Sequence, residues 1–128
     1  VIRRGPSVTH LAIGRQRQMG RRDSRNGEHY YTYHHLVTTS EEPSLMALRL
    51  DVHCHDPQKI TLNEGHGSKE LVYVTKGTVQ VQWTNKEGTL RESVLNEGDS
   101  IFVWPNTPHS FTALNAESPA EIIAVNYD

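Results

Sequence analysis

The chain carries a single cysteine, Cys54. An internal disulfide is therefore excluded, and a reducing compartment is expected. Long apolar runs are missing too: none approaches the roughly 20 residues that carry a helix across a bilayer. No charged-then-apolar leader opens the sequence, so a cytoplasmic setting is expected, with no membrane partner. A basic excess is also missing. The formal net charge of −2 offers no field for nucleic acid. Helical periodicity is not sustained anywhere beyond Tyr30. Apolar residues make up only 35% of the 128 positions, and Leu, Ile, Val and Phe are scattered rather than blocked. That distribution suits one domain of many short, half-buried strands and argues against long buried helices.

What is there divides in two. Residues 1–29 are polar and basic, with arginines gathered at Arg15, Arg17, Arg21, Arg22 and Arg25. They read as a strand near Val8–Ile13 followed by an irregular loop. The first residue is Val1 rather than Met, which suggests the C-terminal part of a longer protein. Residues 30–128 have a different texture. Tyr30–Thr39 is rich in Tyr, Val and Thr, which suit a pleated surface. In Leu45–His53, Met46, Leu48, Leu50 and Val52 alternate with Ala47, Arg49 and Asp51, the pattern of a half-buried strand. Further strands are predicted at Glu70–Thr75, Thr78–Thr84, Thr89–Leu95, Ser100–Trp104, His109–Ala113 and Glu121–Asn126. Gly, Pro and Asn stand at the joints, as at Lys76-Gly77, Asn96–Gly98 and Pro105–Pro108. The predicted fold is all-β, a barrel or sandwich.

Two stretches carry the chemistry. Gly65 to Gly77 reads H-x3-E-x6-G from His66 through Glu70. Gly98 to His109 reads Gly-Asp, an apolar strand, a Pro turn and then His. In this order the pair resembles the two motifs of the cupin superfamily, over residues from about 30 to the end. The resemblance implies a double-stranded β-helix, or jelly-roll, barrel with the motif side chains pointing inward. An inward Glu70 would be a costly unpaired charge in a barrel filled by apolar residues, and a bound cation offsets that cost. Two imidazoles and one carboxylate, from His66, Glu70 and His109, leave coordination positions open and suit non-heme Fe(II). Many cupins carry another His two residues before the first. Here Glu64 stands there, which favours the three-ligand type while leaving Glu64 open as an extra ligand.

A narrower likeness surrounds these motifs. Tyr30-Tyr31-Thr32-Tyr33, Leu36-Val37, Pro43-Ser44-Leu45, Asn63-Glu64-Gly65-His66 and Ile123-Ala124-Val125-Asn126 are similar to the group of hydroxypropylphosphonic acid epoxidase, hydroxyethylphosphonate dioxygenase and methylphosphonate synthase. The likeness runs from Arg25 to Asn126. It implies a mononuclear non-heme Fe(II) oxygenase acting on a small hydroxyalkylphosphonate with O2 or peroxide. The outcome would be epoxidation, C–C cleavage or methylphosphonate formation. It implies iron ligation by His66, Glu70 and His109, and phosphonate binding by Arg25, Tyr31, Tyr33, Asn63 and Asn126, with Tyr31 and Tyr33 also catalytic. A guanidinium with several neutral donors is what a phosphonate dianion requires. That group also uses a lysine from a helical N-terminal domain, expected here to come from outside this segment. In its dioxygenase branch the carboxylate ligand sits six residues before the second His, where this chain has Val103.

Other features have plainer readings. His53-Cys54-His55 continues the polar side of Arg49 and reads as a solvated face. His34 and His35 lie on opposite faces, so at most one can enter the barrel, and His34, next to the tyrosines, is the candidate. Cys54 has no base or cation motif to make it a nucleophile. Asn63 precedes a glycine turn, where Asn is common for backbone reasons alone. The rival reading of the whole is the ligand-sensing barrel of a helix-turn-helix transcription regulator. Edge-strand pairing in such barrels leads to the expectation of a homo-oligomer.

Overall fold

The computed structural model describes residues 21–25, 28–58, 61–115 and 117–128, with residues 21–25, 28 and 29 described by backbone alone. Nine strands and no helix occur among the described residues. They are β1 (Arg21–Arg25), β2 (Glu28–His35), β3 (Leu45–Val52), β4 (Lys69–Lys76), β5 (Val79–Thr84), β6 (Leu90–Leu95), β7 (Ser100–Val103), β8 (His109–Ala113) and β9 (Ala120–Tyr127). A six-stranded sheet runs β1-β2-β3-β9-β4-β7, and a three-stranded sheet runs β6-β5-β8. All pairings are antiparallel. The all-β reading therefore holds. The basic segment needs one correction: Arg21–Arg25 is a strand, paired on β2 across a bulge at Asp23/Ser24. The strand expected at Val8–Ile13 lies outside the described residues. β2 stops at His35, earlier than its composition suggested. Leu36 still donates to the Ala47 carbonyl, and the chain then leaves for the turn before β3.

The period-two alternation of the sequence becomes an inside and an outside. Leu48, Leu50 and Val52 of β3, Val72 and Val74 of β4, and Ile122 and Ala124 of β9 are buried. Their neighbours Leu71 and Tyr73 stay exposed. From the small sheet Val79, Val81, Phe111 and Ala113 complete the same core. Fully burying one such aliphatic side chain stabilises the fold by about 1.5–3 kcal/mol. Two sheets packed inner face to inner face make the barrel.

β8 is an edge strand, yet all five of its residues are buried. Its free backbone groups therefore need partners other than a strand. They find them in order. Ala113 N–H donates to the Cys54 carbonyl at 2.8 Å. Phe111 N–H donates to the Tyr31 hydroxyl at 2.8 Å, and that hydroxyl donates to the Phe111 carbonyl at 3.2 Å. His109 N–H donates to Asn63 Oδ1 at 3.0 Å, while Asn63 N–H donates to the His109 carbonyl at 3.1 Å. The segment leaving β3 and the tyrosine of β2 thus stitch the two sheets together beside the site.

Candidate metal centre

Glu70 is the second residue of β4 and pairs in register with Asn126 of β9 on one side and Val103 of β7 on the other. The alternation that buries Val72 and Val74 turns Glu70 inward as well, leaving it 7% exposed. His109 opens β8 and is 3% exposed. His66 lies in the turn before β4 and is half-buried. Glu70 Oε2 stands 2.8 Å from His109 Nε2 and 3.4 Å from His66 Nε2. One ligand atom from each of the three residues falls within 4.8 Å of the others, and this is the metal-capable group found among the described residues.

Charge and tautomer decide what the group can hold. His109 Nδ1 lies 2.8 Å from the Thr107 carbonyl, which can only accept. Nδ1 therefore carries a proton, and Nε2, on the carboxylate side, is the ring atom that can offer a lone pair to a metal. Glu70 Oε2 is buried and has no hydrogen-bond partner among the described residues. A buried carboxylate oxygen and an imidazole nitrogen at this range are held together by a shared proton or by a bound cation. A carbonyl orienting the far nitrogen of a ligand histidine is the usual support for such an ion. The donor set fits a divalent transition metal.

A cavity of about 150 Å³ opens over these three residues. Tyr31 and Tyr33 of β2, Asn63 and Asn126 supply its polar lining, and Leu48, Leu50 and Phe111 much of its apolar wall. Asn63 has a fixed amide. Its Oδ1 accepts from both Gly65 N–H at 2.9 Å and His109 N–H at 3.0 Å. Its Nδ2 is thereby left on the side of the metal group, 3.5 Å from His109 Nε2. Asn126 is 6% exposed on the inward face of β9. The backbone of Arg25 ends β1, and its side chain lies outside the described atoms.

The remaining residues are placed as follows. Glu64 is exposed and stands apart from the metal group. His34, the candidate for entry, does not enter the barrel. Its face of β2 is opposite to that of Tyr31 and Tyr33, and its Nε2 lies 3.0 Å from Asp51 Oδ2 on the outside of the sheet. His53 Nε2 lies 2.7 Å from the Thr32 hydroxyl, and His55 Nδ1 lies 3.0 Å from the Ala113 carbonyl. Both are structural contacts. Cys54 is buried, with its thiol 3.6 Å from the Asp56 carbonyl. The sequence reading passed over the apolar wall. Its signals were present: Leu48 and Leu50 share the β3 face of Met46, Phe111 is two residues from His109, and Ala124 is two from Asn126.

Comparison with known proteins agrees with this geometry. Residues 51–126 match the family model described as a cupin domain. The chain is 38% identical over 103 residues to (S)-2-hydroxypropylphosphonic acid epoxidase of Streptomyces wedmorensis, covering 80% of this chain and 52% of that protein. It is 30% identical over 109 residues to methylphosphonate synthase of Nitrosopumilus maritimus (strain SCM1), covering 80% of this chain and 24% of that protein. The chain thus spans about half the length of the first relative and about a quarter of the second. A crystal structure of the Fe(II) form of hydroxypropylphosphonic acid epoxidase in complex with substrate superposes with a TM-score of 0.82 at 34% identity, over 91% of this chain and 60% of that one. The Streptomyces wedmorensis epoxidase in complex with fosfomycin gives 0.70 at 39% identity, over 77% and 51%.

Proposed function

This chain belongs to the cupin family, and from that footing we propose that it forms the catalytic barrel of a mononuclear non-heme Fe(II) oxygenase acting on a small hydroxyalkylphosphonate. One observation carries the reading. The buried Glu70 carboxylate faces two imidazoles, His109 at 2.8 Å and His66 at 3.4 Å, on the floor of a small cavity ringed by tyrosine and asparagine. The two curated relatives, one named an epoxidase of a hydroxyalkylphosphonate and the other a methylphosphonate synthase, support phosphonate chemistry.

In this proposal His66, Glu70 and His109 hold the iron, which when bound supplies redox chemistry and the activation of O2 or peroxide. The protein supplies position. Asn63 offers an amide N–H whose direction is set by the two backbone donors on its oxygen. Asn126 and Tyr33 add polar groups from β9 and β2, so that a tetrahedral anion meets donors from three sides. Arg25 is assigned to neutralise its charge. Tyr31 and Tyr33 are assigned to the reacting end. Leu48, Leu50 and Phe111 keep bulk water from the alkyl part and leave room for a short chain only. Epoxide closure, C–C cleavage and methylphosphonate formation are the outcomes to be distinguished. A homo-oligomer in the cytoplasm, and a further segment contributing a lysine, belong to the same proposal. No described helix is long and apolar enough to cross a membrane.

The test loads the full chain with Fe(II) without oxygen and adds 2-hydroxyethyl- or 2-hydroxypropylphosphonate. Phosphorus NMR is then followed after oxygen or peroxide is admitted. A new phosphorus signal that vanishes in Glu70→Ala is the expected result, and its shift identifies the reaction. Full iron occupancy with no turnover, even with the lysine-bearing partner segment supplied, would favour a ligand-sensing barrel instead.

A further inference from the structure

Of the two histidines of the metal group, His66 lies in the segment before β4 and His109 opens β8 directly after the turn at Asn106–Pro108. Besides the Asn63–His109 bonds, these segments meet around Gly65 and Asn106. Asn106 N–H donates to the His66 carbonyl at 2.6 Å, and Gly65 lies against the backbone of Asn106 and Thr107. A Cβ built on Gly65 would stand 2.9 Å from the Asn106 carbonyl carbon and 3.0 Å from the Thr107 nitrogen. Those are backbone atoms and cannot rotate away. Gly65 has φ +81°, and Asn106, across the contact, has φ 60°. Both are left-handed conformations, which glycine adopts freely and asparagine tolerates better than most residues. Thr107 is also the residue whose carbonyl takes the His109 Nδ1 proton. The atoms that a Gly65 side chain would displace are therefore those that aim His109.

We infer that Gly65 is a positioning residue of the metal centre: its missing side chain lets the turn before His66 lie directly on Asn106–Thr107, and that contact sets the spacing of the two imidazoles. The inference rests on the metal reading proposed above and adds a determinant outside the ligand set. Asn106 is its counterpart, holding the turn from which Thr107 points its carbonyl at His109. Asn63 closes the clamp by accepting from Gly65 and His109 with one oxygen.

The experiment titrates Co(II) into the full chain and into Gly65→Ala, without oxygen, and follows the visible absorption of the ion. Disturbing the groups that orient metal ligands typically lowers affinity about 10–100-fold, and a loss of that size with an altered Co(II) spectrum is expected. Gly88→Ala is the control. Gly88 also has a positive φ, +78°, but a Cβ there meets nothing within 4 Å, so it presses on no part of the metal group. That variant should lose thermal stability without metal yet keep the affinity and spectrum of the parent. Should Gly65→Ala fail to fold, Asn106→Ala and Asn106→Gly replace it: the alanine form should bind Co(II) more weakly, and the glycine form should bind like the parent. A folded Gly65→Ala with unchanged affinity, or equal binding by both Asn106 variants, overturns the inference. A parent chain that takes up no Co(II) instead sinks the metal reading, and this inference with it.

Discussion

Tyr31→Phe removes one oxygen and leaves the ring, so it isolates what that hydroxyl does. In the fold it answers both backbone groups of Phe111, as acceptor at 2.8 Å and as donor at 3.2 Å, on the edge of β8 that faces away from β5. Phe111 is 4% exposed, so its amide has no ready substitute in bulk water. A buried donor left unpaired costs about 1–3 kcal/mol, and the carbonyl adds a smaller amount, which places the variant roughly 2–3 kcal/mol below the parent. For a chain of this size each kcal/mol moves the melting temperature by roughly 3–4 °C, so a fall of about 6–12 °C is expected. Calorimetry on the metal-free protein measures it, and hydrogen exchange should show the Phe111 amide losing its protection. A shift below about 2 °C with that amide still protected would refute the seam as a source of stability. Turnover measured where both proteins remain folded then separates this structural task from the catalytic one assigned to the same tyrosine.

Two other outcomes follow from the structure. A divalent ion at about a hundred times its dissociation constant should stabilise the parent by about 2.7 kcal/mol. Glu70→Gln, equal in size but uncharged, should lose that gain, and an undiminished metal-dependent rise in melting temperature would exclude Glu70 as a ligand. Tyr127 donates to Glu42 Oε1 at 2.9 Å, and this hydrogen bond together with the negative charge of Glu42 raises its pKa above the ordinary phenol value of 10.0. The contact is intact below the ordinary phenol range and is lost as pH climbs through the raised value. Ultraviolet titration of the tyrosines should therefore show one tyrosine shift downward in Glu42→Gln, and no shift would remove Glu42 as the cause.

How much of this was legible in the sequence depended on whether a signal was local. The eight strands expected from Tyr30 onward rested on short β-suited runs bounded by Gly, Pro and Asn, and in Leu45–His53 on an alternation that the burial of Leu48, Leu50 and Val52 reproduces. Glu70 could be placed inward by counting from Val72 and Val74. Distances across the fold could not be counted. That β9 lies between β3 and β4, and so sets Asn126 beside Glu70, is a property of sheet order rather than of any segment. His34 was misjudged because nearness to the tyrosines in sequence was allowed to outweigh the two-residue period that separates them. The seam along β8 left no trace in composition, since a tyrosine, an asparagine and a bare carbonyl do one task there by three different means.

The order of β9 in the sheet also bears on how the protein is made. β9 is the last of the nine strands in sequence, yet it sits near the middle of the larger sheet, with β3 on one side and β4 on the other. During synthesis β3 and β4 are therefore finished well before the strand that joins them exists, and each waits with an unpaired edge. Glu70 can pair with Val103 of β7 beforehand but gains its polar in-register neighbour, Asn126, only when β9 arrives. Loss of the final eight-residue strand would then do more than shorten the barrel: it would divide the sheet through its centre and leave two exposed edges primed for association.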